Sequence, residues 1–390
     1  MNLYDRMQKS LEKNRQNGVF RTITPKIQHQ GMIKIGSKDY LNLSSNDYLG
    51  LASDTKCLKE FNEYAHSQLL RMSSSGSPLL TGAHESYAQI CEVMENLFHK
   101  KATFFNSGFS ANSGVLSILG ADDTLIIADK LAHASMIDGL TSSRGKFLRY
   151  AHNDYEHLER LIQKSSISYD NIIIVTEAVF SMDGDRCDLK KLVELKHKYQ
   201  NIYLYVDEAH GFGVLSEDGS GLCGSLGLIN EVDFILTTFG KALASEGACI
   251  LTNETARDYI INNSRPLIFS TALSPYTFAH EAFMVNYMKK RNDLRLRLNK
   301  LSAYIHQTLN ECNFENVSSS QIIPLITGDN ERTLKASEFF KEHGIYAMPI
   351  RHPTVPAGKA RLRISLNAGL NDSQIEMLAD TIRAFSRKIR

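Results

Sequence analysis

The chain has 390 residues, 43% of them hydrophobic and 22% charged, with a formal net charge of +1. That length supports a large core and two domains, and a charge so close to zero gives no electrostatic footprint for nucleic acid or membrane. The six cysteines, at 57, 91, 187, 223, 249 and 312, include no Cys-x-x-Cys pair, which argues against a zinc site or a disulfide framework and suits a reducing cytoplasm.

Met1-Asn2-Leu3-Tyr4-Asp5-Arg6 lacks the apolar core of a signal peptide. No apolar run approaches the ~20 residues of a membrane span. Residues 1–45 are polar and mixed, ending in a strand-like piece at 33–43. Residues 69–83 are rich in Ser, Gly and Leu and predict a loop. Over 84–98 the residues Tyr87, Ile90, Cys91, Met94, Leu97 and Phe98 fall at helical spacing.

From 103 to 251 short apolar runs alternate with helical patterns. The predicted strands are 103–105, 125–128, 172–176, 203–206, 234–237 and 248–251, with a helix at 189–199. Such alternation predicts an α/β fold, with a mostly parallel central sheet covered by helices on both faces. The short link between 234–237 and 248–251 predicts an antiparallel pair. Residues 255–312 are mostly helical, and a smaller α/β domain closes the chain. There Asn371 is a predicted N-cap with Gln374 at the third helical position, ahead of an apolar stripe of Ile375, Leu378, Ile382 and Phe385. The expected division is an N-terminal segment 1–45, a large domain 46–280 and a small C-terminal domain 281–390.

Two of these strands end in chemistry. Ile202-Tyr203-Leu204-Tyr205-Val206 runs into Asp207-Glu208-Ala209-His210, and Phe234-Ile235-Leu236 into Thr237-Thr238-Phe239-Gly240-Lys241. In an open α/β sheet, ligands bind at the C-terminal strand ends. A lysine held in a partly apolar setting loses proton affinity and becomes a competent Schiff-base nucleophile. An acid on the neighbouring strand end can pair with a pyridinium nitrogen, although it can also simply cap a helix. Lys241 and Asp207 together suit pyridoxal phosphate. Asp-Glu-Ala-His also occurs in helicases, but these need an upstream Gly-x-x-x-x-Gly-Lys-[Ser/Thr] loop. The Gly-Lys pairs here, at 145–146, 240–241 and 358–359, all lack the following Ser or Thr.

Ser107-Gly108-Phe109, before Ser110-Ala111-Asn112, is a small-residue turn that could offer backbone N–H groups to a phosphate at a helix start, and Thr238 could add a hydroxyl. His133 could stack on an aromatic ring or be structural. Arg351 lies in a segment stiffened by Pro353 and Pro356, a setting that suits bidentate grip of a carboxylate. His84-Glu85 has no second histidine four residues after His84, so it is not a zinc motif.

These pieces in order resemble the α-oxoamine synthases, pyridoxal-phosphate enzymes of fold type I. The resemblance covers about residues 40–370. It includes Asn42-Leu43-Ser44-Ser45-Asn46-Asp47-Tyr48-Leu49-Gly50, Asp129-Lys130-Leu131-Ala132-His133-Ala134-Ser135, Thr176-Glu177-Ala178-Val179-Phe180-Ser181-Met182-Asp183-Gly184, and the segments 206–213 and 238–241. It implies a decarboxylative condensation of a small amino acid with an acyl thioester. The segment 350–358 most resembles the branch that joins L-alanine to a pimeloyl thioester, carried by coenzyme A or a carrier protein, in biotin biosynthesis. Other members, such as the 5-aminolevulinate synthases and serine palmitoyltransferases, and a catalytically silent subunit of the same fold, are the alternatives.

The resemblance further implies roles. Lys241 would carry the cofactor and move the Cα proton, Asp207 would face the ring nitrogen, and His133 would stack on the ring. His210 and Ser181 would meet the ring's phenolic oxygen. Ser107, Gly108, Phe109 and Thr238 would hold the phosphate, with Thr271 reaching the partner's phosphate across a homodimer. Arg21, Asn46, Arg351 and Thr354 would bind substrate. Two departures from the family pattern are Pro78 after Ser75-Gly76-Ser77, and Asn367-Ala368-Gly369-Leu370 near the C-terminus.

Overall fold

The computed structural model describes residues 1–68 and 70–389, so Leu69, first in the predicted 69–83 loop, lies outside the described residues. The strands in chain order are β1 (Ile27–His29), β2 (Met32–Ile35), β3 (Lys38–Asn42), β4 (Lys101–Phe105), β5 (Thr124–Asp129), β6 (Lys146–Tyr150), β7 (Asn171–Glu177), β8 (Ile202–Asp207), β9 (Phe234–Thr238), β10 (Ala248–Thr252), β11 (Ile322–Gly328), β12 (Ile345–Tyr346), β13 (Met348–Ile350) and β14 (Ala360–Ser365).

The central sheet has the order β4-β10-β9-β8-β7-β5-β6. Neighbours from β9 to β6 are parallel, while β10 runs antiparallel to both β9 and β4. The predicted antiparallel pair is therefore present, within a sheet that is otherwise parallel. β6 has no counterpart among the predicted strands. Its Lys146-Phe147-Leu148-Arg149-Tyr150 mixes two charges with apolar residues, as an edge strand tolerates.

Alternate residues of each inner strand feed two separate cores. Ile172 and Ile174 of β7 join one apolar cluster, whereas Ile173 and Val175 join the other. Helix α1 (Leu3–Gln16) has no buried residue and covers neither face. The helices that cover these faces are, in chain order, α2 (Thr55–His66), α3 (Glu85–Phe98), α4 (Gly108–Leu119), α5 (Ala134–Ser142), α6 (Tyr155–Ser165), α7 (Leu189–Lys198), α8 (Gly221–Ser225), α9 (Glu254–Asn263), α10 (Arg265–Ile268) and α11 (Pro275–Lys289). Helices α4 and α5 share a cluster with Ile173 through Val115, Leu116, Met136 and Leu140. Helices α3, α7 and α11 share the other through Ile90, Leu192 and Phe278. The fold is thus α/β with both sheet faces covered, as in fold type I.

The predicted strand at 33–43 is a hairpin. β2 and β3 pair antiparallel, with Ile35 opposite Lys38, and the intervening Gly36 has φ +62°, a left-handed value that suits glycine in a tight turn. β3 then pairs in parallel with β12, so the N-terminal strands are tied to the C-terminal third of the chain. There β11, β14 and β13 form a separate antiparallel sheet. It is accompanied by α12 (Asn292–Glu311), α13 (Asn330–Glu342) and α14 (Asp372–Ile389). Asn371 and Gln374 cap α14 reciprocally, each side chain accepting the other's backbone N–H at 2.9 Å. Within the predicted 69–83 loop, Pro78–Gly82 forms one wide helical turn that starts on the proline.

Candidate active site

The C-terminal ends of β7, β8 and β9 deliver Glu177, Asp207 and Thr238 to one edge of the sheet, and the turns after β4 and β5 add Ser107 and His133. A cavity of about 290 Å³ lies there. Its lining includes Ser107, Gly108, Phe109, His133, Asp207, His210, Thr238 and Lys241, with Asn112, Ser135 and Glu177 beside them.

Burial holds the Lys241 amine below its ordinary proton affinity, against the pull of Asp207 and Glu177 towards the charged form. Its Nζ lies 3.1 Å from Nε2 of His210. His210 is buried and is pushed well below the usual imidazole range by desolvation first, then by the Lys241 and Arg363 cations. The neutral ring relays a hydrogen-bond chain. Its Nδ1 lies 2.6 Å from the Tyr48 hydroxyl, which lies 3.0 Å from Oδ1 of Asn46. Because the Asn46 oxygen can only accept, the Tyr48 hydroxyl donates to it and accepts the His210 Nδ1–H, which leaves Nε2 as the acceptor of a Lys241 N–H.

Asp207 is buried and is satisfied on both oxygens. Oδ1 accepts the Ala209 N–H at 2.8 Å and Oδ2 accepts the Asn112 amide at 2.8 Å. The Asn112 amide also donates to the Ser135 hydroxyl at 3.0 Å, and its carbonyl accepts the Tyr205 hydroxyl at 2.8 Å. His133 caps α5: its Nδ1 accepts the Ser135 N–H at 3.3 Å and lies 2.8 Å from the Ser135 hydroxyl. Desolvation lowers the His133 proton affinity, partly offset by Asp207. Asn112 and Ser135 thus link the Asp207 and His133 supports.

The start of α4 is a shaped cradle. Ser107 and Ser110 satisfy each other's N–H groups in a capping box, both at 3.1 Å, while the N–H groups of Gly108 and Phe109 have no partner among the described residues. A Cβ on Gly108 would lie 2.7 Å from Cγ2 of Thr238, so the glycine is what allows this turn to sit against β9. The Thr238 hydroxyl is buried and has no partner among the described residues. Two free N–H groups at a helix start and an orphaned hydroxyl fit an anionic group. An amine of lowered proton affinity and a facing carboxylate fit the aldehyde and ring nitrogen of pyridoxal phosphate. Gly240 plays a lesser part, since a Cβ there would meet only the Ser245 carbonyl, at 3.5 Å.

The family profile described as aminotransferase class I and II matches residues 38–382. A Pasteurella multocida protein provisionally named 8-amino-7-oxononanoate synthase is 43% identical over 90% of this chain and 92% of its own length. A Haemophilus influenzae protein of the same provisional name is 42% identical over 98% and 99%. The chain belongs to the α-oxoamine synthases of the aminotransferase class I and II family. This synthase is accordingly a pyridoxal-phosphate-dependent acyltransferase of fold type I. Among solved structures, an 8-amino-7-oxononanoate synthase from Francisella tularensis matches with TM-score 0.73 at 28% identity, over 90% of this chain and 98% of that one. A serine palmitoyltransferase from S. paucimobilis has TM-score 0.90 at 24% identity, over 100% and 99%, a likeness of fold.

The remaining predicted residues of this synthase lie outside that cavity. Ser181 and Thr354 line an adjoining cavity of about 230 Å³, with Leu131, Phe180 and Arg361. Asn46 stands behind His210 through Tyr48. The Thr271 side chain is exposed, and its carbonyl accepts the Asn106 amide at 2.9 Å, next to Ser107. Arg21 is exposed in the stretch between α1 and β1. Arg351 lies near Gly18, with its Nη1 3.8 Å from where a Gly18 Cβ would stand.

The cation facing Lys241 and His210 is instead Arg363, on β14, 8% exposed. Its Nε donates to the Ser181 carbonyl at 2.6 Å and its Nη1 to Asn46 Oδ1 at 3.1 Å and to the Ser365 hydroxyl at 2.6 Å. The sequence signal for it is the pair Arg361 and Arg363 at strand spacing in the otherwise apolar Ala360-Arg361-Leu362-Arg363-Ile364-Ser365. For Asn112 the signal is a polar residue among small and apolar ones inside α4.

Proposed function

We propose that this synthase condenses L-alanine with a pimeloyl thioester, carried by coenzyme A or a carrier protein, to give 8-amino-7-oxononanoate for biotin biosynthesis, with loss of carbon dioxide and the thiol. The observation that carries the proposal is the near full-length likeness to proteins of that provisional name, around a cavity in which Lys241, Asp207, His133 and His210 converge.

Pyridoxal phosphate, when bound, supplies an electron sink for charge that develops on the amino acid's Cα. The chain's residues do the rest. The Gly108 and Phe109 N–H groups and the hydroxyls of Ser107 and Thr238 would hold the phosphate. Asp207, hydrogen-bonded by the Asn112 amide and the Ala209 N–H, would pair with the ring nitrogen. His133 would cover the ring, and His210 and Ser181 would meet its phenolic oxygen. Lys241, whose proton affinity burial lowers, takes the Cα proton and returns one at the end. The His210–Tyr48 chain fixes the direction in which the Lys241 lone pair points.

In this reading Arg363 binds the alanine carboxylate, because its guanidinium faces Lys241 within the fold. Arg351 and Thr354 with Arg21 then serve the acyl donor. Two copies of the chain assemble as a homodimer, with Thr271 reaching the partner's phosphate, so sedimentation should give twice the chain mass.

The function is tested by supplying alanine, glycine or serine, each with pimeloyl-, acetyl-, succinyl- or palmitoyl-coenzyme A, and measuring turnover. Alanine with the pimeloyl donor is expected to give the highest kcat/KM. A single methyl separates alanine from glycine and is worth ~1–3 kcal/mol, so preference for alanine of about tenfold or more is expected. Preference for another pair would overturn the assignment.

A further inference from the structure

Behind the cavity wall, β5 ends at Asp129, which is completely buried. Its Oδ1 accepts the Leu131 N–H at 2.7 Å and its Oδ2 the Asn153 N–H at 3.1 Å. Nδ1 of His152 lies 2.9 Å from Asp129 Oδ1, and Nε2 of the same ring lies 2.7 Å from Asp185 Oδ2. Ionised carboxylates only accept hydrogen bonds, so both ring nitrogens carry protons and His152 is an imidazolium. Burial alone would lower its proton affinity, but the bonds to Asp129 and Asp185 outweigh it and lift the ring to about 10. The Phe180 ring meets the imidazolium edge to face at 4.4 Å.

The two carboxylates belong to different segments of the site. Asp129 opens the turn that ends in His133. Asp185 closes the loop that carries Ser181, where the Phe180 N–H donates to the Asp185 carbonyl at 2.9 Å. That loop is also the seat of the small sheet, through Arg363 on the Ser181 carbonyl and the Ser319 N–H on the Gly184 carbonyl at 3.2 Å. The Asn153 amide adds a second tie to Asp185 Oδ2 at 2.8 Å, whereas Asp185 Oδ1 has no partner among the described residues.

We propose that His152 is a positioning residue, an imidazolium strut between Asp129 and Asp185 that fixes the His133 turn relative to the Ser181 loop and thereby the cofactor-facing geometry of both. This rests on the reading of His133 and Ser181 as cofactor neighbours. Removing the imidazolium leaves two facing carboxylates without their shared cation, one fully buried, and they drive the two segments apart.

The test uses the holoenzyme, with two readouts besides turnover: the visible circular dichroism of bound pyridoxal phosphate and its rate of loss on dilution. In His152→Gln the dichroic band is expected to change and cofactor loss to quicken by about tenfold or more, because a buried charge loses its partner. Adding Asp185→Asn removes one of the two facing carboxylates and with it their mutual repulsion, while Asp129 keeps its two backbone N–H partners, and the double variant should return to within about threefold of wild type. A structural role without the charge bridge would leave the double variant at least as impaired as the single one. That result, or an unchanged band and loss rate in His152→Gln, overturns the strut. His133→Phe separates the underlying reading. An unchanged band there removes His133 as the ring's neighbour and the strut with it. A changed band there beside an unaltered His152→Gln removes the strut alone. If His152→Gln fails to fold, Asp185→Asn with His152 intact is read instead: it keeps the hydrogen-bond count and removes one charge, and an unaltered band and loss rate overturn the proposal.

Discussion

At the scale of single residues, two arginines compete for one role. Arg351 sits on a proline-stiffened segment and was the natural choice from local sequence. Arg363 sits on a strand whose six residues are all buried, and its guanidinium bears on both Lys241 and His210. A charge-assisted, bidentate grip is worth about 1.5–3 kcal/mol, so its loss weakens binding by roughly 10- to 100-fold. Arg363→Lys keeps the charge and loses the fork. It should raise the KM for alanine by about that factor while the spectrum of the bound cofactor stays put. Arg351→Gln should leave the alanine KM within about twofold, because Arg351, unlike Arg363, is not among the charges that act on Lys241 and His210. Steady-state kinetics on the two variants decides between them, and the reverse pattern would return the carboxylate to Arg351.

At the scale of elements, α4 meets β9 at close quarters in the site. A methyl on Gly108 would approach Thr238 Cγ2 to 2.7 Å, well inside contact distance. Overpacking of this kind costs about 1–3 kcal/mol, so Gly108→Ala should weaken cofactor retention by roughly 5- to 100-fold. Thr238→Ser removes the offending Cγ2 and keeps the hydroxyl. The double variant should therefore recover most of the loss, as measured by equilibrium titration of absorbance. If Thr238→Ser gives no relief, the turn is constrained by something other than that contact.

Elements of this sort were largely legible in the chain. The strands that end in Asp207 and Thr238 are continuous apolar runs because both sheet faces are covered, and Ser107-Gly108-Phe109 reads as a helix start from its small residues. β6 was not legible, since an edge strand carries charges that break the apolar run. Arg363 and Asn112 escaped for another reason. Their neighbours in space, Ser181 and Asp207, are 182 and 95 residues distant, and nothing local marks a pairing that only the folded sheet creates.

At the scale of the whole molecule, burial in the folded chain raises the proton affinity of acids. Glu208, the second letter of Asp-Glu-Ala-His, is completely buried. Its Oε1 accepts the Cys223 N–H at 2.7 Å, and its Oε2 has no partner among the described residues. A Cβ on Gly211 or Gly221 would stand 2.1 or 2.5 Å from that carboxyl, so the loop after β8 is wrapped around it. Burial is the main reason its proton affinity rises from 4.5 to about 6, with backbone N–H groups pulling the other way. The sign follows from proton counting. Between these two values the folded chain binds more protons at Glu208 than the unfolded chain does, so this group's contribution to stability falls as pH rises through the window. Lowered histidines such as His133 and His210 act in the opposite sense near their ordinary value of 6.5, which hides the effect in the wild type alone. Glu208→Gln keeps the shape and cannot ionise. Relative to wild type, the variant should gain about 2 kcal/mol between pH 4.5 and 7.5, as one and a half pH units at 1.36 kcal/mol each imply. Urea unfolding of both proteins at matched pH values reads that difference directly. Parallel stability curves would mean that Glu208 is ionised in the folded chain and that the wrapped loop admits water to its unpaired oxygen.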